Sequence, residues 1–567
     1  MKHLITSALP YINGIKHLGN LVGSMLPADV YTRYLRARGK DVLSICATDE
    51  HGTPAEIAAR KEGITVEEFC HTQHEVQKGI GESFGLSFDY FGRSSNPSNI
   101  ELTQYMANKL EENGYIEERS IKQFYSNTDE MFLPDRYVEG TCPYCGYENA
   151  RGDQCENCTK VLDPEDLKNP RSAISGSTDI ELRETKHLFL LQSKLAGKLE
   201  EWVGNQDSWP RLVSSIAGKW LKEGLLDRCI TRDLKWGVPV NRPGFEDKVF
   251  YVWFDAPIAY IATTKDWSDE DPEHRNWKDW WDVKNKDNVR YTQFMGKDNI
   301  PFHTITFPAT IIGAGSEFVQ PTYIKGVNWL NYYGGKFSTS QKRGIFMDQA
   351  TKLYPADYWR YYLMSNIPET KDVSFAWEDF ADCINKDLGG LLGNFINRSF
   401  KMQAKYAGDA LPKGGTEGEA EERLIADLSR LKKEYEEAMD AVEFRKATIA
   451  LRGIWKIANE YCDTRAPWTA AKEGRDDDVA ICLRYMINMQ RIMSVLSSPF
   501  IPESSKKIAD NLQLTADEHE WISDDIASEL RKLAPGRIVK DPDVILFGRI
   551  MPEDTEQHKI MFGAPES

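Results

Sequence analysis

Apolar residues recur at Leu18, Leu21, Val22, Met25, Leu26, Val30 and Tyr34, the i, i+3, i+4 spacing of a helix buried on one side. A short apolar strand over residues 3–7 precedes this helix, Gly39 stops it, and residues 42–47 read as a second strand. Strand, crossover helix and parallel strand make half of a nucleotide-binding sheet. Beyond Asp49-Glu50-His51-Gly52-Thr53-Pro54 a helical pattern continues to Phe84, and a further amphipathic helix is predicted over 99–113, closed by Gly114. The sheet is expected to resume at Ile230, with apolar strands at 249–254, 289–295 and 323–327. From about Trp377 the pattern is helical, over 384–406, 419–439, 441–462 and 476–496, with a Gly- and Pro-bearing link at 408–418. That is an antiparallel helical bundle appended to an α/β part.

Residues 115–229 differ from both, being rich in turns and mixed charges, and read as an insertion. Cys142, Cys145, Cys155 and Cys158 form two Cys-x-x-Cys knuckles inside it, with Gly146 and Gly152 allowing tight turns beside them. Four thiolates at this spacing surround one tetrahedral zinc, and with no coordination position left open the site is structural. Two disulfides are the alternative. The other six cysteines are scattered without pairing spacing, which suits a reducing compartment and favours the metal.

With 567 residues the chain has length for several domains, and a formal net charge of -17 excludes a global basic field for nucleic acid or anionic lipid. The most apolar run, 249–261, is interrupted by Asp255 and Pro257, short of the roughly 18 residues a membrane span needs. The N-terminus enters the first strand without a signal-peptide pattern, so a soluble cytoplasmic protein is expected.

Ligands of open parallel sheets sit at the carboxyl ends of the strands, where helix N-termini present N–H groups to phosphate. His17, Gly19 and Asn20 fall at that point. Gly19 brings a nucleotide close to the backbone, and His17 and Asn20 are hydrogen-bond donors; a surface histidine and a turn glycine are the other reading of so short a motif. Asp49 and His51 follow the second strand, where helix capping is the alternative role. Trp253, Asp255, Ala256, Pro257 and Tyr260 end one later strand, Gly296-Lys297-Asp298 ends the next, and Phe302-His303 opens a helix. Aromatic and apolar side chains beside a few polar ones make the lining of a small-ligand pocket. Residues 334–344 add a cationic, hydroxyl-rich loop able to close on a triphosphate.

In their order along essentially the whole chain these features resemble the methionyl-tRNA synthetases, which are class I aminoacyl-tRNA synthetases. His17-Leu18-Gly19-Asn20 is similar to the first class signature, HIGH, and Lys336-Phe337-Ser338-Thr339-Ser340 to the second, KMSKS. Ala8-Leu9-Pro10-Tyr11, the four-cysteine knuckle, Trp253-Phe254-Asp255-Ala256-Pro257 and Gly296-Lys297-Asp298 lie between them in the family's order. Two positions depart: Asn20 stands for the signature's second histidine and Thr339 for its second lysine. Asparagine keeps a neutral donor, and Lys342 or Arg343 is a candidate substitute for the lost charge.

The resemblance implies a Rossmann-type catalytic domain in two halves, 1–114 and 230–326, with the zinc-knuckle connective domain, 115–229, inserted between them. A signature-loop and stem-contact region, 327–376, and a helical anticodon-binding domain, 377–567, would follow. It implies activation of methionine by ATP to methionyl-adenylate and pyrophosphate, then transfer to the terminal adenosine of tRNA(Met). By the same resemblance His17, Asn20 and Lys336 act in catalysis. ATP is held by His17, Gly19, Asn20, Lys297, Asp298, Lys336, Ser338, Thr339 and Ser340, with Mg²⁺ accompanying it. Methionine lies among Leu9, Tyr11, Trp253, Ala256, Pro257, Tyr260 and His303, its ammonium on Asp49. Trp468 stacks on an anticodon base, with Asn394 and Arg398 as candidate base readers and Lys386, Arg398, Lys401 and Lys405 as a local basic face. One structural zinc per chain and a monomer are expected.

Overall fold

The computed structural model describes residues 1–152, 155, 157–158, 160, 162–337, 343–543 and 545–565. The chain divides into two compact units, one of residues 1–15, 43–79 and 88–326, the other of 16–42, 80–87 and 327–567.

The first unit is built on a five-stranded sheet in the order Tyr323–Val327, Val289–Gly296, Lys2–Ser7, Asp41–Thr48, Tyr90–Arg93. Lys2–Ser7 runs parallel to Val289–Gly296, from Lys2 opposite Val289 to Ser7 opposite Phe294, and Asp41–Thr48 runs parallel to Tyr90–Arg93. Leu4, Leu43, Ile45 and Tyr291 from these strands pack with Leu102, Met106 and Leu110 of the helix Pro97–Glu112. This is the parallel-sheet α/β architecture the hydrophobic pattern predicts, and the helices assigned beyond Asp49 are Thr53–Glu62 and Val66–Ser83.

One expectation is corrected. Residues 249–254 do not form a strand of the parallel sheet: only Val249–Phe250 is extended, paired antiparallel with Thr231–Arg232 in a separate ribbon, and Val252–Asp255 is a helical turn. A six-residue apolar run is compatible with either state; here Tyr251 caps the turn, and its N–H donates to Ile230 O at 2.9 Å. Residues 115–229 are also more regular than their composition suggests. Ile116–Ser126 pairs antiparallel with Ile180–Leu190 over its whole length, and the helices Gln192–Gly204 and Arg211–Glu223 follow. Between the two long strands lies a three-stranded sheet centred on Val138–Thr141, which carries the cysteines.

In the second unit, His17 precedes a helical turn, Leu18–Asn20, a π-helical turn, Leu21–Met25, and the helix Leu26–Ala37. The C-terminal part is helical as expected: Asn394–Ala407, Glu419–Asp440, Phe444–Arg465 and Asp476–Ser497. Val479 to Ser497 is buried almost all round apart from Arg484, as in the centre of a helical domain. No helix among the described residues is long and apolar enough to cross a membrane.

Candidate active site

The second unit brings the two signature segments together. The His17 ring stacks on Phe337 at 4.5 Å and 7°, with Phe346 edge-on at 6.2 Å. Backbone bonds fix this contact: Leu18 N–H donates to Ile345 O at 3.3 Å and Met347 N–H to Lys16 O at 2.8 Å. A side chain at Gly19 would meet His17 Cε1 and Nδ1 at 2.9 Å and Leu330 O at 3.3 Å, so glycine at this position makes room for the imidazole. Asn20 is exposed, and its Oδ1 accepts the His17 N–H at 3.2 Å. With its Oδ1 so engaged, the Asn20 carboxamide keeps its NH₂ as the donor group. Burial, with Lys16 adding repulsion, pushes His17 down to about 4, so the ring is a neutral imidazole near pH 7.

Lys336 is exposed, with Nζ 5.5 Å from the Trp329 ring centre. Arg343, considered above as a substitute cation, donates from Nε to Lys336 O at 2.8 Å and ties the base of the loop. Ser338, Thr339, Ser340 and Lys342 lie outside the described residues.

The first unit gathers the residues assigned to methionine. Tyr11 and Asp49 are backbone neighbours, with Asp49 N–H donating to Pro10 O and Ile12 N–H to Asp49 O, both at 2.9 Å. The Asp49 carboxylate is thus on a buried residue at the end of its strand, and its charge joins burial in raising the Tyr11 phenol well above the ordinary range. Trp253 is 40% exposed and donates its indole N–H to Tyr11 Oη at 3.0 Å. Ala256 and Pro257 follow on the same turn.

His303 donates from Nδ1 to Asn299 O at 2.9 Å, which leaves Nε2 to accept the Tyr260 hydroxyl at 2.9 Å. The Leu9 backbone N–H in turn donates to that hydroxyl. Burial pushes His303 down to about 4. His303 therefore presents a fixed neutral tautomer. At Gly296 a side chain would meet Asp298 Oδ1 at 2.7 Å, so this glycine lets the exposed Asp298 carboxylate fold back. Phe302, placed at this sheet edge by the sequence but not assigned to methionine, packs 4.5 Å from Trp253, and Tyr251, which sequence reasoning did not single out, lies 5.3 Å from it. Nothing but adjacency to Trp253 marked Tyr251. Sequence reasoning also missed the buried pair His51 Nδ1 and Asp255 Oδ2 at 2.7 Å.

The four knuckle sulfurs lie within 4.8 Å of one another, Cys142 to Cys158 at 3.8 Å and Cys145 to Cys155 at 3.5 Å. Tetrahedral zinc with Zn–S near 2.3 Å requires S···S separations of about 3.8 Å, so the donor set fits that ion. Gly146 takes φ +75° and its N–H donates to Cys142 O at 3.1 Å.

In the helical region Arg398 lies over the half-buried Trp468 ring at 5.5 Å and bonds Asp463 at 2.8 Å; Asn394 bonds Asn459 at 3.2 Å. The expected basic face is largely neutralised, because Lys386 pairs with Asp382 at 2.6 Å and Lys401 with Asp541 at 2.9 Å.

A parallel-sheet domain with an inserted knuckle, a histidine-led signature stacked on a lysine-bearing second signature, and a trailing helical domain is the make-up of a class I aminoacyl-tRNA synthetase. Residues 3–400 match the family described as tRNA synthetases class I (M), and residues 411–567 match the anticodon binding domain of methionyl tRNA ligase. The methionine--tRNA ligase of Streptomyces avermitilis is 57% identical, with all of both chains covered. That of Caulobacter sp. strain K31 is 54% identical over 99% of both chains. In fold the chain is similar to Mycobacterium tuberculosis methionyl-tRNA synthetase in complex with methionyl-adenylate, with TM-score 0.77, 24% identity and coverage of 97% of this chain and 100% of that one. The chain belongs to the methionyl-tRNA synthetase family.

Proposed function

We infer that the chain is an ATP-dependent methionine–tRNA ligase, which forms methionyl-adenylate and pyrophosphate and then esterifies the terminal adenosine of tRNA(Met) for initiation and elongation. The observation that carries this reading is the full-length identity to methionine--tRNA ligases, joined to a pocket of aromatic and neutral polar groups with a buried carboxylate. In this account the Asp49 carboxylate pairs with the substrate ammonium. The thioether lies against the Tyr11, Trp253, Tyr260 and His303 side chains, with Leu9, Ala256 and Pro257 closing the pocket. Aromatic edges suit polarizable sulfur, and a neutral His303 adds no charge that would disfavour an uncharged side chain.

Attack of the methionine carboxylate on the α-phosphate is an in-line phosphoryl displacement, so the protein's work is positioning and charge stabilisation. His17 and Asn20 donate to the phosphates at Gly19, and Lys336 follows the departing pyrophosphate with Ser338, Thr339 and Ser340. Lys297 and Asp298 hold the nucleoside. Mg²⁺ bound with ATP supplies further charge neutralisation. Cys142, Cys145, Cys155 and Cys158 would hold one structural Zn²⁺, which supplies folding energy to the insertion. Trp468, Arg398 and Asn394 would read the anticodon. The domain limits given under Sequence analysis, a monomeric state and a cytoplasmic location belong to the same proposal.

The test is Asp49→Asn. Loss of one charge-assisted contact, about 1.5–3 kcal/mol, predicts a KM for methionine about 10- to 150-fold higher with the KM for ATP unchanged. An unchanged methionine KM would contradict the assignment.

A further inference from the structure

The carboxylate and the exposed indole assigned to methionine stand on two separate segments, and one buried pair joins those segments. His51, two residues beyond Asp49, donates from Nδ1 to Asp255 Oδ2 at 2.7 Å, and Asp255 lies two residues beyond Trp253 at the end of the turn Val252–Asp255. His51 is 3% exposed and Asp255 is fully buried. The two segments also meet beside this bond: a side chain at Gly52, which takes φ +95°, would touch Val252 Cγ1 at 3.4 Å.

Further bonds hold both ends of the pair. Asn99, buried on the helix Pro97–Glu112, donates from Nδ2 to Asp255 Oδ2 at 3.3 Å and to Ser94 O at 2.7 Å. The Ser94 hydroxyl accepts the Glu50 N–H at 2.9 Å, which closes a ring back to the residue between Asp49 and His51. Trp236 donates its indole N–H to Glu50 O at 2.6 Å and stands edge-on to the His51 ring at 5.6 Å. With the Asp49 N–H on Pro10 O, each of residues 49–51 is bonded to a different part of the unit.

The two halves of the pair depend on each other. Burial pushes the Asp255 carboxyl up from the ordinary range, and the bonds from His51 and Asn99 act against that shift. A buried carboxylate without its partner is strongly disfavoured, so the turn that carries Asp255 keeps its place while His51 keeps its own. With so little surface exposed, neither side chain lines the pocket.

We propose that His51 and Asp255 are positioning residues for methionine: their bond sets the separation between the Asp49 carboxylate, which takes the ammonium, and the Trp253 indole, against which the side chain lies. Holding both groups in place before the substrate arrives lowers the ordering cost of binding. The inference rests on the proposed methionine pocket and adds to it the device that fixes its two sides.

The test measures ATP–pyrophosphate exchange by the full-length chain at varied methionine and at varied ATP, with the fold of each variant followed by circular dichroism. Asp255→Ala is expected to raise the KM for methionine about 10- to 100-fold, the usual worth of a partner that orients a binding group, and to leave the KM for ATP as it is. Asp255→Asn keeps an acceptor for His51 and should raise it only about 3- to 10-fold, since a neutral bond is roughly half as strong as a charge-assisted one. His51→Asn keeps a donor near the place of Nδ1, and His51→Asn with Asp255→Ala should be no worse than Asp255→Ala alone, because one bond cannot be lost twice. Glu529→Gln, which breaks the buried Arg491–Glu529 pair of the helical region, controls for instability. It should lower the urea midpoint and leave both KM values unchanged.

A wild-type KM for methionine in folded Asp255→Ala, a rise shared equally by the KM for ATP, or losses that add in the double variant each overturn the proposal. Should Asp255→Ala not fold, Asp255→Asn carries the test, and a wild-type KM for methionine there overturns it. A raised methionine KM in Asp49→Asn beside an unchanged one in Asp255→Ala refutes the positioning alone; an unchanged one in both refutes the pocket itself.

Discussion

Replacing Gly19 with alanine tests how the first signature works. The new Cβ would lie 2.9 Å from two atoms of the His17 ring and 3.3 Å from Leu330 O. An ordinary contact requires about 3.5 Å or more, so the ring must move by roughly half an ångström or more. Phe337, stacked at 4.5 Å, stands on the ring's face and Phe346 on its edge. Overpacking of this kind costs about 1–3 kcal/mol, while alanine in a helical turn regains up to about 1 kcal/mol over glycine. The net loss of global stability should therefore stay within about 3 kcal/mol. If His17 donates to phosphate as proposed, its displacement should lower the activity; 1–3 kcal/mol in the transition state is about 5- to 150-fold in kcat/KM for ATP in pyrophosphate exchange. Gly23→Ala is the internal control, since a side chain there meets nothing within 4 Å. It should leave exchange unchanged and stability equal or slightly higher. Wild-type exchange by Gly19→Ala would refute the claim that this glycine serves the histidine.

Other outcomes follow from the same geometry. His303 is held down to about 4 from 6.5, so its neutral form stabilises the fold above pH 6.5 and that contribution is lost as pH falls toward 4. The loss approaches about 3 kcal/mol. Urea unfolding near pH 7 and 4.5 should thus show the wild type losing more stability than His303→Gln; parallel losses would contradict the assignment. Chelation of zinc should release one ion per chain and remove hydrogen-exchange protection from Val138–Thr141 and Lys168–Ser172 while the parallel sheet keeps its own; protection unchanged throughout would exclude a structural metal. Trp468→Ala should raise the KM for tRNA by about 5- to 150-fold, the worth of one stacked base, and leave tRNA-independent exchange untouched. A fall in exchange would assign the ring to packing instead.

Much of the architecture was legible because it depends on short-range pattern. Tyr323–Val327 is a strand at the limits its apolar run predicts, and the helices Glu419–Asp440 and Asp476–Ser497 extend one residue beyond their periodicity. The failures have physical reasons. At 249–254 an apolar run without alternation was read as one strand, but tertiary packing bends it after Phe250. Ile116–Ser126 carries Glu, Arg, Lys and Gln on exposed or half-exposed positions, and its long ribbon partner lies far along the chain, so no local period announces it. The residue types of the candidate site were readable from motif order. The stacking of His17 on Phe337, the tying of Lys336 O by Arg343 and the tautomer of His303 were not. Each depends on a partner that only the folded chain brings near or orients.

The most direct test of the central claim is ATP–pyrophosphate exchange by the purified chain, with methionine, leucine, cysteine and no amino acid in parallel. The account predicts exchange with methionine alone, which would also show that Asn20 and Thr339 serve in place of the usual signature residues. Absence of exchange from folded, zinc-loaded protein, or exchange that favours leucine or cysteine, would contradict it.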